Sequence, residues 1–158
     1  MLYLICGLPG TGKTTLAGKM SRDTGAVVFS LDEIVAAKYE AASKCDLKIR
    51  QAAGKYEVLS EITSALLMNR SVILDYGFFK KSERERYRQL AYMCGVECKL
   101  IYVVADVDRC IERVMRRNKK ADNIHYIDES IFRTLCNEFE TPSGESEVIV
   151  DTSAPSWC

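Results

Sequence analysis

The chain lacks several features that would assign it to a common functional class. Its 158 residues include one histidine, three prolines and one tryptophan, and no apolar run reaches the roughly 18 residues that a membrane span requires. Acidic and basic residues balance at 22 each, so the formal net charge is zero. A neutral chain has no global field that attracts nucleic acid. Such a partner is possible through a local basic patch but is not favoured.

The beginning of the chain also lacks a charged segment followed by an apolar region and a cleavage site, which a secretory signal would have. We therefore expect a cytoplasmic protein that does not bind membranes. Seven cysteines are present, but Cys94 and Cys98 have no second pair at metal-ligand spacing, and His125 is the only histidine. A zinc site is not expected, and the cysteines are expected to be reduced thiols.

The most informative feature that the chain does have is a glycine-rich run near its beginning. The pattern G-x-x-x-x-G-K-[ST] is matched at every fixed position by Gly7-Leu8-Pro9-Gly10-Thr11-Gly12-Lys13-Thr14. An apolar run of strand type precedes it and a helical segment follows it, which is the context that this phosphate-binding loop needs. The alternative is a glycine-rich turn that matches by chance, and the flanking segments count against it.

The chemistry of such a loop predicts a nucleotide site. Glycines let successive backbone N–H groups converge on an anion, and the following helix adds the positive end of its dipole. Lys13 is expected to reach the β- and γ-phosphates of ATP, and the Thr14 hydroxyl is expected to bind Mg²⁺. The full set of residues predicted to contact the nucleotide is Gly7, Pro9, Gly10, Thr11, Gly12, Lys13, Thr14, Thr15 and Arg117.

Short apolar runs alternate with amphipathic segments along the whole chain. Strands are predicted at 2–6, 26–30, 71–75, 98–104 and 147–151, and helices at 13–22, 33–43, 47–69, 82–94, 107–118 and 128–139. The strands do not alternate with polar residues, which is typical of a parallel sheet covered by helices on both faces. Ser82 and Glu85 suggest a capping box, and Asp128 a helix N-cap. No linker divides the chain, so residues 1–158 are predicted to form a single α/β domain.

Two acidic residues follow predicted strands and are therefore candidates for the site, because open α/β sheets bind ligands at the carboxyl ends of their strands. Asp32 is predicted to orient an acceptor hydroxyl and take its proton. Asp75 is predicted to help hold Mg²⁺ or to position the acceptor. The alternatives are a helix N-cap for Asp32 and a polar strand end for Asp75.

Arginines form a second group of candidates. Arg109, Arg113 and Arg116 share one face of a predicted helix, and Arg117 lies beside it. Arg113 and Arg116 are predicted to supply catalytic positive charge when a lid around residues 113–127 closes over the phosphates. The alternative is a solvated helix face. Arg84, in the first turn of another helix, is predicted to contact the acceptor.

A regulatory GTPase is not supported. Guanine-specific proteins usually carry Asn-Lys-x-Asp after an apolar strand, whereas Asn118 to Asp122 has one residue too many and follows an arginine-rich helix.

Taken together, these residues resemble the small P-loop kinases related to polynucleotide kinase and zeta toxin, many of which are described as AAA-type ATP-binding proteins. The resemblance covers nearly the whole chain. Besides the loop and its continuation to Ala17, its elements are Ser30-Leu31-Asp32-Glu33-Ile34, Val72-Ile73-Leu74-Asp75, Arg84, Ala91, Gly95, Arg113, Arg116 and Phe139-Glu140-x-Pro142.

The resemblance implies a three-layer P-loop NTPase fold with five parallel strands in the order 2-3-1-4-5. It also implies that Asp32 activates the acceptor and that arginines between 113 and 117 belong to the lid. The chain departs from the family at Tyr76-Gly77-Phe78-Phe79, where many relatives have a small residue followed by threonine or asparagine. This departure leaves the acceptor undefined.

The resulting expectation is an ATP- and Mg²⁺-dependent kinase that phosphorylates a hydroxyl of a small molecule or nucleotide, as a monomer or homodimer. The residues expected to be catalytic in this kinase are Lys13, Asp32, Arg113 and Arg116. The acceptor is expected to bind to Asp32, Asp75 and Arg84. The metal is expected to bind to Thr14 and Asp75. The alternatives are a 5′-hydroxyl polynucleotide kinase and a non-catalytic nucleotide sensor or ATPase.

Overall fold

A computed structural model describes residues 1–38, 44–119 and 126–154, and for residues 38, 44–48 and 50 it describes the backbone alone. The strands are β1 (Leu2–Cys6), β2 (Val27–Ser30), β3 (Val72–Gly77), β4 (Cys98–Val104) and β5 (Val148–Asp151). The helices are α1 (Lys13–Thr24), α2 (Leu31–Lys38), α3 (Lys44–Glu57), α4 (Leu59–Leu67), α5 (Lys81–Met93), α6 (Val107–Asn118) and α7 (Glu129–Glu138). Among these described residues, no helix is both long and apolar enough to cross a membrane.

The five strands form one parallel sheet in the order β2-β3-β1-β4-β5, which confirms the predicted fold. Its register decides where the functional residues lie. Asp75 is level with Ile5 on one side and with Ser30 on the other. The ends of β1, β2 and β3, and the loops that follow them, therefore meet at one edge of the sheet.

Helices cover both faces of the central strands, because those strands are apolar on both sides. One buried cluster joins alternate residues of β1 and β3 to α2, α4 and α5. The opposite cluster joins the intervening residues to α1. A smaller cluster, centred on Cys110, Val114 and Phe132, packs α6 against α7. At 0 % exposure, Ile73 and Leu74 lie on opposite faces of β3, as expected for a strand buried between two layers.

The element boundaries differ from the predicted ones in a few informative places. The predicted helix at 47–69 is interrupted at Val58, between α3 and α4. The predicted helix at 33–43 begins earlier, at Leu31, and its residues 39–43 lie outside the part of the chain that is described. Strand β3 runs on past Asp75 to Gly77, because the Gly77 carbonyl accepts a hydrogen bond from the Gly7 amide at 3.1 Å.

The two predicted helix caps had opposite outcomes. Asp128 is the N-cap of α7, and its carboxylate accepts a hydrogen bond from the Ile131 amide at 2.8 Å. The capping box at Ser82 is wrong, since α5 already begins at Lys81. The free amide of Lys81 instead donates to the Glu140 carboxylate at 2.7 Å. A distant carboxylate thus replaces the local cap, and sequence spacing does not reveal it.

Candidate active site

The glycine-rich loop connects β1 to α1, and its shape depends on glycine at defined positions. Gly10 has a φ of 81°. A Cβ on it would lie 2.5 Å from the Cys110 carbonyl oxygen of α6, so no side chain fits there. Gly12, with a φ of 92°, is the N-cap of α1 and has more space around it. The loop therefore has a conformation that bulkier residues would not adopt. We call this loop, residues 7–12, the cup.

The remaining predicted loop residues have distinct surroundings. The buried hydroxyl of Thr11 donates to the Leu8 carbonyl at 2.8 Å, which closes the loop on itself. Pro9 is half-buried, and Thr15 is exposed in the first turn of α1. Of these side chains, only that of Thr15 is exposed enough to meet a ligand freely.

Lys13 lies inside the cup at the start of α1. Its ammonium donates a hydrogen bond to the Leu8 carbonyl at 2.8 Å. Burial lowers the pKa of Lys13, and the charges of Asp75 and Asp32 act in the opposite direction. A buried ammonium bonded to a single loop carbonyl has spare donors for further acceptors.

Thr14 and Asp75 are brought together, as the metal prediction requires. The Thr14 hydroxyl donates to a carboxylate oxygen of Asp75 at 2.6 Å. Burial raises the pKa of Asp75, while Lys13 and the Thr14 hydroxyl lower it. A largely buried carboxylate beside a hydroxyl is a pair of hard oxygen donors, which suits Mg²⁺.

Asp32 lies at the same edge of the sheet, in the first turn of α2. Its side chain is exposed, and its charge acts on both Lys13 and Asp75. The alternative interpretation of Asp32 as an N-cap is wrong, because α2 begins at Leu31. The Ser30 hydroxyl, and not Asp32, accepts a hydrogen bond from the Glu33 amide, at 3.5 Å. Asp32 is therefore not required as a cap.

Arg113 reaches the loop from α6. Its guanidinium donates to the Gly10 carbonyl at 3.1 Å and to the Thr152 carbonyl at 2.8 Å. Thr152, directly after β5, is itself buried and donates to the Thr11 carbonyl at 2.7 Å. The hydrogen bonds of Arg113 and Thr152 together connect the loop to α6 and to the end of β5. The catalytic role predicted for Arg113 stays a prediction.

The contribution of Thr152 was missed by the sequence analysis. It lies in a short polar segment after the last strand, and only the strand order brings that segment beside the loop.

The other arginines of the predicted lid differ from each other in exposure. Arg116 is exposed, whereas Arg117 is half-buried and its Nε has no hydrogen-bond partner among the described residues. The charge of Arg117 acts on Lys13 and lowers its pKa. The charge of Arg117 is thus close enough to act on Lys13, and its guanidinium has an unused Nε donor. Residues 120–125 of the predicted lid lie outside the part of the chain that is described.

Arg84 is held by groups of the protein itself. It is fully buried, and its guanidinium makes a bidentate contact with Glu145 at 3.0 and 2.7 Å. Its third contact is with the Phe78 carbonyl at 2.9 Å. No contact in the described structure supports the predicted binding of an acceptor by Arg84.

The parallel sheet, its strand order and a lysine-bearing glycine cup at the end of β1 define a P-loop protein with a kinase-like nucleotide-binding fold. A family model described as an AAA domain matches residues 2–142. The chain belongs to that AAA domain family. A comparison with curated protein sequences gives no match.

Solved structures with the same fold include several kinases. A protein from Chloroflexus aurantiacus j-10-fl, described as a candidate kinase, superposes with a TM-score of 0.81 at 20% identity, over 98% of this chain and 86% of that one. A gluconokinase from Sinorhizobium meliloti 1021 gives a TM-score of 0.67 at 18% identity, over 97% and 83%. Kti12 of Chaetomium thermophilum, solved with ADP-AlF3, gives 0.66 at 16% identity, over 99% and 93%. At these identities, the similarity concerns the fold.

Proposed function

We propose that the chain is an ATP- and Mg²⁺-dependent phosphotransferase whose acceptor is a hydroxyl group of a small molecule. The observation that carries the proposal is the 2.6 Å contact between Thr14 and Asp75 beside Lys13 and Asp32. At one edge of the sheet, a cation that could bind phosphate therefore lies near two oxygen donors of the kind that bind Mg²⁺ and near an exposed carboxylate. The gluconokinase among the structures with this fold adds support for a small-molecule acceptor.

The loop amides and Lys13 would bind the triphosphate. The loop supplies converging N–H groups and the N-terminus of α1, and Lys13 supplies positive charge near the β- and γ-phosphates. The lowered pKa of Lys13 reflects its burial, and a bound polyphosphate would favour its charged form. Arg117, with its unused Nε donor, would add positive charge from α6 where negative charge develops in the transition state.

Thr14 and Asp75 would hold Mg²⁺, since both present oxygen atoms and Asp75 is a buried carboxylate. When bound, the metal would neutralise charge on the phosphates and so favour transfer. A cation beside Asp75 would also offset the burial that raises its pKa. The donor set therefore fits the metal.

Asp32 would orient the acceptor hydroxyl and accept its proton. The acceptor oxygen forms a bond to the γ-phosphorus, and the bond from that phosphorus to the bridging oxygen breaks. The bridging oxygen keeps the electron pair and leaves as part of ADP. The acceptor proton passes to the Asp32 carboxylate and then to water.

The test is an ADP-release assay over sugars, polyols, nucleosides and short oligonucleotides, combined with calorimetry of ATP binding. Lys13→Ala should abolish tight ATP binding. Asp32→Asn should leave ATP binding nearly intact and lower kcat by about 10² or more. Glu33→Gln is the matched control, because it removes a charge from the adjacent exposed position of the same turn and should change kcat by less than about threefold.

Three results would contradict parts of the proposal. Unchanged turnover in Asp32→Asn would remove Asp32 as the base. ATP binding without transfer to any acceptor would favour the nucleotide sensor or ATPase. Salt-sensitive transfer to an oligonucleotide alone would favour the polynucleotide kinase.

A further inference from the structure

Two carbonyl groups of the cup are directed toward α6 and the end of β5. The Gly10 carbonyl accepts a hydrogen bond from Arg113 at 3.1 Å, and the Thr11 carbonyl accepts one from the Thr152 hydroxyl at 2.7 Å. Arg113 also donates to the Thr152 hydroxyl at 3.2 Å and to the Thr152 carbonyl at 2.8 Å. The Thr152 hydroxyl therefore accepts from Arg113 and donates to the cup, so these contacts form one network.

The directions of these carbonyls decide where the amides of the same peptide groups point. The peptide bonds of the cup are trans and planar, so each N–H group points opposite to the carbonyl that precedes it. The Thr11 amide, opposite the Gly10 carbonyl, donates to the Leu8 carbonyl at 3.4 Å, and the Lys13 ammonium donates to that same oxygen. The Gly12 amide, opposite the Thr11 carbonyl, is directed away from the end of β5.

The network leaves these peptide groups little freedom to rotate. Thr11 and Thr152 are 2% and 1% exposed, and the Thr152 amide donates to the Val104 carbonyl of β4 at 2.9 Å. Loop amides stabilise an anion most when they are held in place before it binds. A peptide group that rotated would present its carbonyl oxygen to a phosphate instead of its amide. The network therefore preserves the binding geometry of the cup.

We propose that Arg113 is a positioning residue, which together with Thr152 keeps the Thr11 and Gly12 amides directed at the phosphates and does not itself contact the transferred phosphoryl group. The inference rests on the proposed function, since it concerns the nucleotide site of that function. It gives Arg113 a role other than the catalytic one that its helical spacing predicts.

The contacts of the two arginines on α6 support this division of roles. Arg113 donates to three acceptors of the protein. Arg117 lies one turn further along α6, and its Nε has no hydrogen-bond partner among the described residues. Positive charge for the transition state is therefore assigned to Arg117, and the geometry of the cup to Arg113.

The first test measures ADP and ATP affinities of Arg113→Met by calorimetry. Misplaced amides weaken the binding of the phosphates that both nucleotides share, so both affinities should fall about tenfold or more. A catalytic arginine acting on the γ-phosphate would instead lower kcat and leave the ADP affinity unchanged. Arg133→Met is the matched control, since Arg133 on α7 is 70% exposed and its loss should change neither affinity. An unchanged ADP affinity in Arg113→Met would overturn the inference.

The second test uses Thr152→Val, which also decides the matter if Arg113→Met does not fold. Valine keeps the shape of the side chain and removes the hydroxyl. Loss of one neutral hydrogen bond predicts a fall of about three- to tenfold in both affinities. Thr152→Ser keeps the hydroxyl and should recover most of the affinity, whereas a role in packing alone predicts that valine is the better replacement. Wild-type affinities in Thr152→Val would overturn the inference.

Two further variants separate the position of the cup from general stability. The double variant of Arg113→Met and Thr152→Val should lose less ADP affinity than the product of the single effects, because both act through one network. A full product would contradict that network. Ile62→Val, at a position in α4 that is 0% exposed, should lower stability without lowering ADP affinity. A fall in ADP affinity equal to that of Thr152→Val would mean that lost stability explains both.

Failure of this inference can be distinguished from failure of the proposed function. If ADP binds and no acceptor is phosphorylated, the kinase proposal fails, and the ADP affinities of the variants still decide the role of Arg113. If an acceptor is phosphorylated and the variants bind ADP like the wild type, the inference fails alone. A wild type that binds neither nucleotide would overturn both.

Discussion

Breaking the buried ion pair between Arg84 and Glu145 should be among the most destabilising polar changes available in this chain. The perturbation we consider is Glu145→Gln, which keeps the size of the side chain and removes its charge. Glu145 is 5% exposed and accepts from Arg84 and Arg88, while Arg84 itself is 0% exposed. After the substitution, the Arg84 guanidinium stays buried without its counter-ion.

The expected magnitude follows from that geometry. Removing one partner of a buried pair typically costs about 3–5 kcal/mol, because the remaining charge is left uncompensated. The glutamine can still accept one hydrogen bond, and Arg84 keeps its bond to the Phe78 carbonyl. We therefore expect a loss at the lower end, about 3 kcal/mol in the free energy of unfolding. The surface pair of Glu129 and Arg133, at 57% and 70% exposure, should behave differently.

The assay is urea denaturation of the wild type, Glu145→Gln and the matched control Glu129→Gln. The control should change the free energy of unfolding by less than about 0.5 kcal/mol, as is usual for an exposed helical pair. Adding Arg84→Met to Glu145→Gln should recover part of the loss, because it removes the uncompensated charge. A loss below about 1 kcal/mol in Glu145→Gln, or no recovery in the double variant, would refute the reasoning.

Three further predictions concern the loop, the lid and pH. Gly10→Ala should impair folding or ATP binding far more than Gly12→Ala, because the new Cβ would meet the Cys110 carbonyl at 2.5 Å whereas Gly12 has nothing closer than 3.8 Å; similar ATP affinities by calorimetry would contradict this. Arg117→Met should lower kcat/KM for ATP at least about tenfold, and the exposed Arg116→Met less than about threefold; equal effects in steady-state kinetics would remove the proposed role of Arg117. Hydrogen bonds from Arg84 hold the pKa of Glu145 below its ordinary value of 4.5. The stabilisation of the fold by charged Glu145 is therefore present above pH 4.5 and is lost as the pH falls through the lowered pKa. The stability difference between wild type and Glu145→Gln should therefore shrink below about pH 4.5 in denaturation curves, and a constant difference down to pH 2 would show that Glu145 is not the titrating group.

The strands and most of the helices were predictable from the sequence because their signals are local. Apolar runs bounded by polar turns locate each strand within two residues, and the helix at Val107–Asn118 is predicted to the residue. The strand order came from the family resemblance. The break at Val58 was not predictable, since no glycine or proline marks it. Val58 is buried in the main core cluster, which local sequence does not reveal.

At the candidate site, contacts that follow from the phosphate loop and the edge of the sheet were predictable, whereas side-chain pairs with an irregular segment were not. The contact of Thr14 with Asp75 follows from the phosphate loop and the strand register. The position of Arg84 could not be read from sequence, because its partner Glu145 lies 61 residues away in an irregular segment. An arginine in the first turn of a helix looks the same whether it faces a ligand or a buried carboxylate.

The irregular segment between α7 and β5 holds the turn after β3 in a strained conformation. Phe139 packs on Phe79 at a centroid distance of 5.4 Å, and the Glu140 amide donates to the Phe79 carbonyl at 2.9 Å. Phe78, between these contacts and Tyr76, has a φ of 47°, which a bulky residue rarely adopts. Such strain, about 1–3 kcal/mol, persists only when surrounding contacts over-determine it.

The balance between that strain and burial can be measured with Phe78→Gly. Glycine would relieve about 1–2 kcal/mol of left-handed strain, but loss of a fully buried phenylalanine ring costs about 3–5 kcal/mol. Burial should therefore prevail, and the variant should be less stable by about 2 kcal/mol or more in urea denaturation. Ser146→Gly is the matched control, because Ser146 has a φ of 57° and is exposed, so its stability should change by less than about 1 kcal/mol. A Phe78→Gly variant as stable as the wild type would mean that the turn stores more strain than its φ indicates.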